Sequence, residues 1–158
     1  AAKMTNMKQI TIKVAWNNSA FEGLVSSETS YGEMKIVTKD FNDIIDMGEA
    51  ELKIGFDGYT EFGLELPEWY KNKEYEFVYK FQDVTAMLKA YSSYVSLAAI
   101  SRETGINSAL LSHYANGLKV PRNKQQKIIV SGLHRIGALL SKCTIDDERK
   151  TQLNIERK

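Results

Sequence analysis

The sequence predicts an α+β protein in two parts: a strand-rich first half built around one helix, then an all-helical second half. Three observations point there. Apolar residues alternate at period two in residues 9–16 and again in 74–81, as in half-buried strands. From Asp83 onward the apolar period becomes helical. Charge divides at the same place: residues 1–82 carry 14 acids against 9 Lys and Arg, residues 83–158 carry 6 against 12, and the resulting −5 and +6 hide beneath a total of +1.

In the first strand Ile10, Ile12, Val14 and Trp16 share one face, with Thr11, Lys13 and Ala15 on the other. Asn17, Asn18 and Ser19 form a turn cluster, after which residues 21–25 return as the second strand of a hairpin and residues 34–37 make a short third. Thr38 opens a helical pattern with Phe41, Ile44, Ile45 and Gly48 on one side. It is expected to run to about residue 54 or 56, where Gly55, Gly58 and Gly63 end it. An irregular stretch with Pro67 follows, and residues 74–81 form the last strand. Its aromatics have the look of a base-stacking platform, yet sheet packing is the better reading among acidic neighbours.

In the second half, Asp83 or Thr85 is placed to cap a helix carrying Val84, Met87, Leu88 and Tyr91, and Ser92-Ser93 breaks it. Residues 100–119 then have helix-turn-helix spacing of the kind found in phage repressors. Ser101 is the small residue where two helices cross, Gly105 makes the turn, and Ile106 plugs it. Leu111 and Tyr114 anchor the second helix from its inner face. Asn107 is an N-cap residue, and Asn116-Gly117 is a C-terminal stop. Beyond Pro121 a long helix repeats Ile129, Leu133, Ile136 and Leu140 at spacings of four, three and four. Within residues 97–142 the only acid is Glu103, against Arg102, Lys119, Arg122, Lys124, Lys127, Arg135 and Lys142. Such a surface attracts phosphate and releases counterions on binding.

With 158 residues and 43% hydrophobic content, the chain is sized for one modest core or two small ones that need each other. No apolar run approaches a membrane span, the first ten residues lack the apolar core of a secretory signal, and a reducing cytoplasm is expected. The single Cys143 has no disulfide partner, and Cys143, His113 and His134 are too scattered for a metal site, so neither metal nor other cofactor is expected. An enzyme is not expected either: a nuclease that binds paired magnesium ions needs a constellation of carboxylates, and the first strand, residues 9–16, contains no Asp or Glu. The acids Asp40, Asp43, Asp46, Glu49 and Glu51 suit a solvated helix face, or one that meets a basic partner.

The run VSLAAISRETGINSALLSHYANGLKVPRNKQQKI, preceded by EYEFVYKF and followed by LHRIGALLSK, resembles the C-terminal half of HicB-like antitoxins, especially the longer Bacteroidetes-type members. The resemblance covers about residues 74–142. It implies a partial RNase H-like βββαβ unit followed by a lambda-repressor-like helix-turn-helix domain. The corresponding division is 1–82 for partner binding, 83–145 for DNA binding and 146–158 as a polar tail. It further implies a repressor of its own operon that neutralises a small mRNA-cleaving HicA-like RNase toxin. The first half departs from the family: where many members carry Gly-Asp-Thr and then Glu-Glu-Ala, residues 36–43 keep only the Thr and an acid.

In the related repressors the start of the second helix, and a position one turn later, face the major groove. Here that selects Ser108, Ala109, Ser112 and His113 for base contact, with His113 equally readable as a plain surface residue. Asn107, Asn116, Lys119, Arg122 and Lys124 suit phosphate contact. Partners expected are double-stranded operator DNA, the toxin, and a second copy in a homodimer or higher homo-oligomer, since one recognition helix covers a half-site. A solitary DNA-binding regulator, and an interaction module that binds no DNA, stay open as alternatives.

Overall fold

The computed structural model describes residues 7–26 and 34–147 and is α+β, with a small mixed sheet and six α-helices. Strands β1 (Lys8–Asn17), β2 (Ala20–Val25) and β3 (Met34–Thr38) form an antiparallel set. A one-turn 3-10 helix (Phe41–Asp43) leads into α1 (Ile44–Glu61) and the short α2 (Glu68–Lys71), after which β4 (Tyr75–Phe81) runs parallel to β1. The sheet order is β3-β2-β1-β4, so the chain crosses two strands between β3 and β4. Four helices follow: α3 (Val84–Tyr91), α4 (Leu97–Thr104), α5 (Ser108–Ala115) and α6 (Asn123–Leu140).

Alternation decides which sheet face is covered. Ile10, Ile12 and Val14 of β1 lie level with Phe77, Tyr79 and Phe81 of β4, and with Phe21 and Ile36 they form the floor beneath α1. The helix answers with Ile44, Leu52 and Phe56, all buried. Each such side chain contributes about 1.5–3 kcal/mol of apolar burial. The hairpin between β1 and β2 turns on Asn18 and Ser19, both at positive φ (50° and 60°), as the primed two-residue turn requires.

Three local expectations are corrected. The helix begins after Asp43 rather than at Thr38, because β3 extends through Thr38 and Asp40 caps the 3-10 turn, its Oδ1 accepting from the Asn42 N–H at 3.0 Å. It passes through Gly55 and Gly58 and ends before Gly63, since buried Leu52 and Phe56 outweigh the roughly 1 kcal/mol helix cost of each glycine. Ile45, expected inward, is 49% exposed, the inward row being Phe41, Ile44, Gly48, Leu52 and Phe56. In addition, α2 occupies the stretch read as irregular, starting after Pro67.

Two apolar clusters form, one between sheet and α1 and one among α3–α6, with Phe81 and Tyr91 packed against both. Helix α3 is the shared element: Ala90 is buried in the first cluster, while Val84, Met87 and Leu88 are buried in the second. Phe41 and Tyr91 meet edge to face at 5.7 Å, the Tyr94 hydroxyl donates to Asn42 Oδ1, and the Lys89 ammonium lies 5.0 Å from the Trp16 ring centre. No helix among the described residues is long and apolar enough to cross a membrane. The polar tail read from the sequence lies, beyond Asp147, outside the described residues.

Candidate nucleic-acid interface

Helices α4 and α5 are joined by a three-residue turn, and each turn residue has a defined task. Gly105 sits at φ 76°, where a Cβ would be strained, and its N–H donates to Ser101 O at 2.8 Å. Ser101 does more than leave room: its hydroxyl donates to Ile106 O at 2.6 Å, fixing the chain where it leaves the turn. Thr104 works beside it, donating to Ile100 O and accepting from the Ile106 N–H. Ile106 is buried, as its role as plug requires. Asn107 Oδ1 then accepts from the Ala109 N–H at 2.7 Å, capping α5.

Helix α5 is held from below by Leu111 and Tyr114, both buried. The Thr85 hydroxyl of α3 donates to Tyr114 O at 2.6 Å, a tie that no local sequence signal announces. The helix closes on Gly117 at φ 74°, with the Gly117 N–H on Tyr114 O and the Leu118 N–H on His113 O, the paired bonds of a Schellman motif.

Anchored this way, α5 turns its first residues outward. Ser108 and Ala109 are exposed; Ser112 and His113, one turn on, are half-buried. Asn107 and Asn116 flank the helix at the surface, and Lys119, Arg122, Lys124 and Lys127 are exposed beyond it. The residues singled out from the sequence therefore fall on and around one short helix. The one acid of the region is engaged elsewhere: Glu103 Oε1 accepts from Arg135 Nε at 2.7 Å, and Arg135 Nη2 also donates to Glu103 O. That pair removes Arg135 from the free basic set and leaves the cations near α5 without an acidic neighbour among the described residues of 97–142.

Sequence reasoning missed Gly132. It is buried where α6 crosses α4, and a Cβ there would stand 2.5 Å from Thr104 Cγ2. It also misjudged the end of α6, since the stripe of Ile129, Leu133, Ile136 and Leu140 is buried only at Ile129, while Leu139 and Leu140 are 70% and 60% exposed. The outer half of this helix instead walls an apolar cleft of about 860 Å³ with Phe41, Ile45, Tyr79, Phe81 and Tyr91. Burial in this aromatic group pushes the Tyr79 hydroxyl up to about 12 and raises that of Tyr91 as well.

On α1, Asp46, Glu49, Asp57 and Glu61 are exposed. Asp57 pairs with Lys53 at 2.8 Å, and Glu49 accepts from the Tyr75 hydroxyl. Burial, then that bond to Glu49, raises the Tyr75 hydroxyl well above the usual phenol range. Among the described residues no group of three or more His, Cys, Asp or Glu is arranged to hold a metal ion. Compared with protein-family models, with curated proteins and with solved structures, the chain gives no match.

Proposed function

We propose that this chain is a HicB-like antitoxin that binds operator DNA through α5 and represses its own operon. In this reading the sheet and α1 form the partial RNase H-like unit, α3–α6 form the lambda-repressor-like domain, and the molecule acts in the cytoplasm without catalysis of its own. One observation carries it: a short helix, anchored by buried Leu111 and Tyr114, exposes Ser108 and Ala109, keeps Ser112 and His113 half-buried one turn on, and is followed by exposed Lys119, Arg122 and Lys124. The cations and the terminal Asn107 and Asn116 bind phosphate and set the register. The short side chains of α5 read bases by hydroxyl, imidazole and methyl contact. With no Arg or Gln among them, discrimination by α5 is modest, and groove shape and half-site pairing supply the remainder. The acidic outer side of α1, with Ile45 and Ile54 exposed among the carboxylates, suits docking of a basic RNase toxin.

The test is binding of the full chain to the DNA upstream of its own gene, against an unrelated duplex, at several salt concentrations. Selective binding is expected. Replacing Lys119, Arg122 and Lys124 together by Ala is expected to weaken binding to both duplexes and flatten the log–log salt slope by about 3, near one unit for each phosphate no longer neutralised. Equal, weak binding to both duplexes by the unaltered chain overturns the reading. The apolar cleft beside α6 favours one second reading, a protein-interaction module whose basic face is incidental; in that case the triple substitution leaves every measured interaction intact.

A further inference from the structure

Strand β4 is an edge of the sheet, paired with β1 on one side and with no strand on the other among the described residues. The Lys8 N–H donates to Glu74 O and the Gln82 N–H donates to Val14 O. In a parallel ladder this fixes the alternation: even-numbered residues of β4 direct their main-chain groups at β1, and Tyr75, Phe77, Tyr79 and Phe81 direct theirs at the open edge. A row of donors and acceptors that no described strand takes up, on a seven-residue strand without proline or bulge, is a template for another strand.

We infer that this edge pairs antiparallel with the β4 of a second copy, about a two-fold axis through Val78, joining two four-stranded sheets into one. The side chains of the strand specify that partner. Val78 is its midpoint, so the register that uses the whole strand sets Val78 against Val78, Phe77 against Tyr79 and Tyr75 against Phe81. The hydrogen-bonded pairs are then those whose main-chain groups already face outward, each exchanging two bonds. On the covered face every cross-strand pair is aromatic. On the open face Glu76 of one chain meets Lys80 of the other, twice over by symmetry, and both are exposed in the single chain. In the single chain the Glu76 carboxylate leans toward β1, where Gln9 Nε2 donates to its Oε1 at 3.3 Å, and it exchanges that exposed contact for the partner's Lys80 on pairing. Opposite charges flanking a central apolar residue make β4 complementary to itself, as an isologous contact demands. An unrelated strand would have no reason to match this pattern. The inference goes beyond the DNA-binding reading and does not need it.

The test is sedimentation velocity of the full chain, without DNA, over a concentration series. A two-chain species is expected. Val78→Lys, which sets two ammonium groups opposite each other at the axis, is expected to leave a monomer. Glu76→Lys and Lys80→Glu each turn both charge pairs repulsive and are expected to weaken association about tenfold or more. The double variant restores attraction with the signs exchanged and is expected to return to within about threefold of the original. Circular dichroism checks that each variant folds, and if Val78→Lys does not, the charge exchange decides alone. A monomer at all concentrations overturns the inference, as does a dimer indifferent to Val78→Lys or a double variant that fails to recover. A dimer lost with Leu140→Asp and kept with Val78→Lys moves the contact to α6, and overturns it too.

Discussion

Gly132 is where a single atom decides how two helices pack. Thr104 is bonded through its hydroxyl to Ile100 O and the Ile106 N–H, so it cannot rotate away from a methyl group placed at Gly132 without giving up the bonds that shape the turn. Gly132→Ala is therefore expected to lower stability by about 1–3 kcal/mol, in spite of alanine's better helix propensity. Gly137 lies five residues later in the same helix and faces open space. Gly137→Ala is expected to do the reverse and raise stability by up to about 1 kcal/mol. Urea unfolding of the two variants checks this, and equal shifts would mean the crossing is loose. In the sequence the two glycines look alike, because the contact that separates them comes from a helix about thirty residues away.

At the scale of elements, local chemistry is most legible where bonding is local. The β1–β2 hairpin, the Asp83 and Asn107 caps, and the glycine turn between α4 and α5 all rest on groups within a few residues of each other. So does the outward face of α5, since Leu111 and Tyr114 fix which side is in. The hairpin turn carries a further expectation. Ser19 holds φ 60°, a region that costs an L-residue about 1–2 kcal/mol. Ser19→Gly gives the Asn-Gly pair favoured in this turn and is expected to raise the melting temperature, with a gain of up to about 1 kcal/mol. What stayed hidden depended on distant partners. The glycines inside α1 read as breakers until Leu52 and Phe56 are seen buried against the sheet, and the end of α6 read as core because its spacing is right, although among the described residues Leu139 and Leu140 stay exposed. Thr85, whose hydroxyl steadies the end of α5, gives no sign in its own neighbourhood of the chain.

For the molecule as a whole, the aromatic cluster shared by the two cores sets an upper limit in pH. The Tyr79 hydroxyl titrates near 12 in the folded protein against about 10 when exposed, and burial raises Tyr91 in the same direction. Below about 10 both states are protonated and the difference is silent. Above it the unfolded chain ionises first, so stability falls as pH rises from about 10 towards 12. Tyr79→Phe is expected to shallow that decline, read as denaturant midpoints at pH 8, 10 and 11. An identical slope in the variant would remove Tyr79 from the cause. The same sheet also dictates an order of events during synthesis. Of the four described strands of the sheet β1 is made before the others and its parallel neighbour β4 after them, some 67 residues further along the chain. Until β4 leaves the ribosome, one side of the central strand has no mate, and closing so long a loop is slow beside the local pairing of β1 with β2. The nascent chain thus passes through an interval in which the strand bearing Ile10, Ile12 and Val14 is itself an open edge. Slowing translation between β3 and β4 would lengthen that interval and with it the exposure to aggregation.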